Sequence, residues 1–92
     1  MKNDEFINYA KIIVREYAFK HLDKQDNIGK DDFDVYAVWN CYILGHSKAL
    51  LSTTLADGMY YEVTYNSNKN EVYLDAYKKF ENVAFNVIRK GE

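Results

Sequence analysis

The sequence predicts an α+β fold: a helix, a four-stranded antiparallel meander and a second helix, in two layers with both helices on one face of the sheet. Three observations predict it. The stretch from Phe33 to Lys79 alternates apolar and polar residues with a period near two and carries seven of the nine tyrosines, the pattern of half-buried strands. The segments flanking it repeat apolar residues at spacings of three and four, the period of an amphipathic helix. A chain of 92 residues makes one domain, with a single modest core.

The first helix is expected over residues 3–22. Phe6, Ile7, Ala10, Ile13, Val14, Tyr17, Ala18 and Leu22 form one apolar stripe. Asn3 is the expected N-cap, with Asp4 and Glu5 where the helix dipole favours negative charge, and Lys20 and His21 suit the opposite pole. Residues 23–34 form a long polar connection containing Gly29; connections of this length tend to be mobile or to carry contacts. Residues 35–44 are rich in β-branched and aromatic side chains and predict the first strand. Gly45-His46-Ser47 is the expected turn, followed by a strand at 48–55, a turn at Ala56-Asp57-Gly58, a strand from Met59 to Asn66, a loop at 67–70 and a short strand from Glu71 to Leu74. Asp75 then caps the expected second helix, 76–89, whose stripe is Ala76, Tyr77, Phe80, Val83, Ala84, Val87 and Ile88.

Register follows from the pattern, because a slip of one residue moves every side chain to the other face. A three-residue turn with Gly58 at positive φ pairs Leu55 with Met59 and Leu51 with Val63. A four-residue loop at 67–70 pairs Tyr65 with Val72 and Val63 with Leu74. These choices gather Ala49, Leu51, Leu55, Met59, Tyr61, Val63, Tyr65, Val72 and Leu74 beneath the helices. On the first strand, Val35, Ala37, Trp39, Cys41 and Ile43 are placed inward, which turns Asn40 outward. The opposite face then shows Tyr36, Val38, Asn40, Tyr42, Lys48, Leu50, Ser52, Thr54, Tyr60, Glu62, Thr64, Glu71 and Tyr73, with no helix left to cover it.

Composition narrows the function classes. The chain is 48% hydrophobic and 28% charged with a formal net charge of −2, well outside the regime of disorder. Mild acidity argues against nucleic-acid binding through bulk charge. A lone cysteine, Cys41, permits no internal disulfide and fits a reducing cytoplasm. No signal peptide is expected from Met1-Lys2-Asn3-Asp4-Glu5, and no apolar run is long enough to cross a bilayer.

Chemistry-bearing patterns are sparse. His21, His46 and Cys41 lack zinc spacing. The acidic run Asp31-Asp32-Phe33-Asp34 invites a calcium reading, but an EF-hand loop needs an acidic residue five before its glycine, and Lys24 stands there. Ser47, Ser52 and Ser67 lie outside any nucleophile elbow, and the four glycines form no phosphate loop. Glu62 and Glu71 fall on the open sheet face, where water leaves nothing to tune them as an acid–base pair. No catalytic residue, cofactor or metal is expected.

The tyrosine-rich face carries the functional reading. Tyrosine combines a large apolar body with a polar tip and is enriched at protein interfaces. Tyr36, Tyr42, Tyr60 and Tyr73 are the expected anchors, with Glu62 and Thr64 supplying polar contacts. The bland reading is that cross-strand tyrosines simply stabilise a one-sided sheet. The competing class is nucleic-acid binding. The order helix, strands, helix resembles the double-stranded RNA-binding domain, with Lys78 and Lys79 at the start of the last helix where that family places basic residues. The wider basic cluster of that family is missing, and Asp75 and Glu81 flank the lysine pair.

The segments Asp57-Gly58-Met59-Tyr60-Tyr61-Glu62-Val63-Thr64-Tyr65-Asn66 and Glu71-Val72-Tyr73-Leu74-Asp75-Ala76-Tyr77-Lys78-Lys79-Phe80-Glu81-Asn82 resemble a family of small uncharacterised phage and prophage proteins of low-GC Gram-positive bacteria. The absence of proline and the abundance of lysine, asparagine and tyrosine, whose codons are AT-rich, agree with that resemblance. It implies a phage-derived cytoplasmic protein of a bacterial host and assigns no active residue. The expectation is a non-catalytic interaction protein, binding a second copy as a homodimer or a host protein through the outer sheet face, with no membrane and no metal.

Overall fold

The computed structural model describes residues 1–88 and 91. Helix α1 spans Asn3–Lys20 and is followed by a single 3-10 turn at Lys24–Asp26. Strands β1 (Val35–Ile43), β2 (His46–Thr53), β3 (Met59–Asn66) and β4 (Glu71–Lys78) form one antiparallel sheet in the order β1-β2-β3-β4. The class is α+β, with α1 packed on β1, β2 and β3 from one side.

α1 forms where the three-four periodicity places it. Its buried residues, Phe6, Ala10, Val14 and Ala18, recur every four positions, so they lie along one face. Asn3 is the first helical residue; Lys2 occupies the N-cap, and no side chain caps there. Phe33, Val35, Ala49, Leu51, Tyr61 and Val63 complete the core. Full burial of side chains such as Phe6, Leu51, Val14 and Val63 stabilises the fold by roughly 1.5–3 kcal/mol apiece. Burial also pushes the Tyr61 phenol above the usual tyrosine range, with the charge of Asp57 adding to the effect.

The connection at 23–34 is tied down. Arg15 on α1 donates from Nη1 to the carbonyls of Lys30 (2.8 Å) and Phe33 (2.6 Å), and its guanidinium sits 5.2 Å from the centre of the Phe33 ring. Glu16 pairs with Lys30. Asp23 caps the 3-10 turn by accepting from the Gln25 amide, and Asp32 accepts from the Gly29 amide. The Asp23 and Asp32 carboxylates therefore organise backbone.

Register agrees with the sequence in one hairpin and differs in the other two. Tyr65 faces Val72 and Val63 faces Leu74 across a four-residue loop, as the pattern predicts. Between β2 and β3, Leu51 faces Tyr61 and Ala49 faces Val63, two residues from the expected pairing. The connection is five residues long, 54–58, and is held at its far end by the Ser52 hydroxyl donating to the Met59 carbonyl and the Met59 amide donating to Asp57; beside it the Thr54 amide donates to the Asp34 carbonyl, and the Thr54 hydroxyl accepts from the Asp34 amide. A shift of two preserves the faces, so every residue assigned inward on β2 and β3 lies in or against the core. Gly58 has φ +68° in this turn, the left-handed backbone expected of it.

The first hairpin turns at Leu44-Gly45, both with positive φ (51° and 81°), instead of at Gly45-His46-Ser47. A two-residue loop of this kind matches the natural twist of the strands. β1 carries a bulge: Ala37 faces Leu51, but Trp39 faces Leu50, leaving Val38 as the extra residue. The bulge reverses the parity of everything after it. Val35 and Ala37 point inward as expected. Trp39, Cys41 and Ile43, expected inward, share the outer face with Leu50, Lys48 and His46. Asn40 and Tyr42, expected outward, share the helix side with Ala49 and Ser47.

The expected second helix is absent from the described residues. β4 continues through Ala76, Tyr77 and Lys78, and residues 79–88 hold neither helix nor strand. Position 89, the last of that expected helix, lies outside the described residues. Phe80, Phe85, Val87 and Ile88 are each more than 85% exposed. The helical period is present in the sequence, yet a segment this short does not hold a helix in water without a surface to pack on.

Candidate functional site

The outer face of the sheet is built from transverse rows of facing residues. Tyr36, Ser52, Tyr60 and Tyr77 make one row across all four strands. Trp39, Leu50, Glu62 and Asp75 make the next, then Cys41, Lys48, Thr64 and Tyr73, and finally Ile43, His46, Asn66 and Glu71. Four consecutive strands thus bring aromatic side chains together from distant parts of the sequence, because strand residues two apart return to the same face.

Of the expected contact residues, Tyr36, Tyr60, Glu62, Thr64 and Tyr73 lie together on this face, and Tyr42 does not. The bulge at Val38 sends Tyr42 to the helix side, where it is 71% exposed. Two residues that the sequence reading placed elsewhere take part instead. The sequence pattern places Trp39 in the core and Tyr77 on a helix; both stand on the outer face, 43% and 53% exposed. Trp39, Leu50, Tyr60, Glu62, Tyr77, Lys78 and Lys79 line a shallow groove of about 460 Å³. A signal for Tyr77 existed in the strict alternation Tyr73, Asp75, Tyr77, which extends the strand period beyond Leu74. No local residue marks the bulge.

Polar groups on the face are paired with each other. Lys48 Nζ lies 3.1 Å from Glu62 Oε1, and the hydrogen bond and charge of Glu62 hold the Lys48 ammonium above the usual lysine range. The Tyr73 hydroxyl donates to Glu71, which raises the Tyr73 phenol above its usual range. Ser52 is buried and donates to the Met59 carbonyl at 2.8 Å. Glu62 and Glu71 are held as structural partners of neighbouring side chains.

Lys78 and Lys79 do not begin a helix. Lys78 faces Met59 at the end of β4, and the Lys79 amide donates to the Gly58 carbonyl at 2.8 Å. The layout of a double-stranded RNA-binding domain needs the helix that the described residues lack. Among the described residues, no cluster of His, Cys, Asp or Glu is placed to hold a metal ion. No described helix is long and apolar enough to cross a membrane.

No curated protein and no solved structure matches the chain. Residues 7–87 match the family described as "Family of unknown function (DUF6275)", and the chain belongs to that family.

Proposed function

We propose that this member of the DUF6275 family is a non-catalytic protein-binding module that uses its outer sheet face as the contact surface, first of all for a second copy of itself and also for a host protein. One observation carries the reading. α1 covers a single side of the sheet, while the uncovered side presents Tyr36, Trp39, Tyr73 and Tyr77, each more than 40% exposed, around half-buried Leu50 and Tyr60. Clustered aromatics with a paired polar rim are the composition of interface centres, and a continuous apolar patch on a small domain marks a contact surface. The phage or prophage origin and the bacterial cytoplasm implied by the resemblance of the C-terminal half belong to this proposal.

The test replaces Tyr60 and Tyr77 together with alanine. Both are cross-strand neighbours on the outer face and neither contributes to the buried core. Sedimentation of the native chain is expected to show self-association, and the double variant is expected to lose it with its circular dichroism unchanged. An identical sedimentation profile would remove these residues from the surface.

A second reading has an observation of its own. Lys78 and Lys79 line the same groove as Trp39, Tyr60 and Tyr77, a combination able to stack single-stranded bases beside a cationic rail. Against it, the rows of the face hold Glu62, Glu71 and Asp75 and only Lys48 as an amine. Binding to single-stranded nucleic acid that weakens steeply with added salt would favour this reading over the first.

A further inference from the structure

The segment from Lys79 to Ile88 is the most anomalous feature of the molecule. Phe80 is 95% exposed and Ile88 93%, although chains this small have little apolar surface to leave in water. The radius of gyration is 16.4 Å, with a longest extent of 53 Å, whereas a globule of this length would have about 12 Å. Phe80, Val83, Ala84, Val87 and Ile88 recur at the spacing of one helical face. The segment thus encodes an amphipathic helix that its own domain leaves unpacked.

Resting on the proposed contact surface, we propose that the segment 79–88 of one copy folds as a helix onto the outer aromatic groove of a second copy, each tail crossing to the other's sheet in a twofold exchange. The groove lined by Trp39, Leu50, Tyr60 and Tyr77 is open and apolar. A helix laid on it completes a layer architecture that a bare sheet face lacks. Return of the tail onto its own sheet would need a tight turn at its root. Lys78-Lys79-Phe80-Glu81 contains no glycine, proline, asparagine or aspartate to make one. Exchange removes that need and is a low-cost route to dimers.

Buried area supports the same occupant. On that face each tail brings Phe80, which buries roughly 150–250 Å²; Val83, Ala84, Val87 and Ile88 add to that, and the groove side chains bury a matching area. Doubled by symmetry, this approaches the ~1,600 Å² of a stable interface.

Trp39 is the only tryptophan and lies in the groove, so its fluorescence reports the docking directly. With rising concentration of the full chain, Trp39 emission is expected to shift to the blue and become shielded from acrylamide as sedimentation shows dimer. Phe80→Asp combined with Val87→Asp, both on the docking face and outside the core, is expected to weaken dimerisation by about tenfold or more per side chain and to abolish the Trp39 shift. A dimer that survives these substitutions but is lost on Tyr60→Ala with Tyr77→Ala would overturn tail docking and leave the contact surface standing. A dimer lost on the tail substitutions with Trp39 equally quenchable at every concentration would place the tail elsewhere and overturn the inference. A chain monomeric throughout would overturn both.

Discussion

Leu44 occupies left-handed backbone at φ 51° and is 90% exposed, so a branched side chain takes the strained conformation without burial in return. The residue beside it, Gly45, adopts φ 81° at no steric cost. A leucine in this region costs on the order of 1–2 kcal/mol, and asparagine followed by glycine is the preferred pair for such a turn. Leu44→Asn is therefore expected to stabilise the domain by about 1 kcal/mol, measured as a higher denaturant midpoint with unchanged slope. No gain would mean that the backbone at this turn is unstrained or that Leu44 has a contact in solution. Conformation at the scale of one residue is poorly legible in sequence here, since leucine carries no signal for positive φ.

At the scale of elements, the bulge at Val38 decides which aromatic side chains reach the outer face. Ala37 and Trp39 face consecutive residues of β2, so deleting Val38 leaves a regular ladder with Trp39 still beside Leu50. The deletion is expected to fold cooperatively with Trp39 emission unchanged. An unfolded product, or Trp39 driven into the core, would contradict the bulge. The rest of the sheet shows what a pattern can specify. Tyr61 and Val63 are buried as alternation demands, and Tyr65 meets Val72 because a four-residue loop leaves one register. Leu51 faces Tyr61 and not Val63 because the connection between β2 and β3 spans residues 54–58 where the pattern predicts a turn at 56–58, a loop held by bonds from Ser52 and Asp57 to the Met59 backbone. Tyr36, Tyr60 and Tyr73 could thus be assigned to the surface from alternation alone. Tyr42 and Trp39 could not, because an inserted residue reverses every later side chain. The C-terminal segment shows the converse: a helical period in sequence becomes a helix only when a surface is present to bury its apolar stripe.

The molecule as a whole is an unbalanced sandwich. One side of the sheet is closed by α1 over Leu51, Tyr61 and Val63; the other is aromatic and bare, and an apolar tail projects with nothing to cover it. The proposed exchange covers both surfaces at once. The most direct measurement is hydroxyl-radical footprinting of the full chain across a concentration series. Tyr36, Trp39, Tyr60 and Tyr77 on the outer face, together with Phe80 on the tail, are predicted to lose reactivity as concentration rises, while Tyr9 on α1, 45% exposed in the single chain, keeps its own. Equal reactivity of all these side chains at every concentration, or protection that falls on Tyr9 instead, would contradict the account.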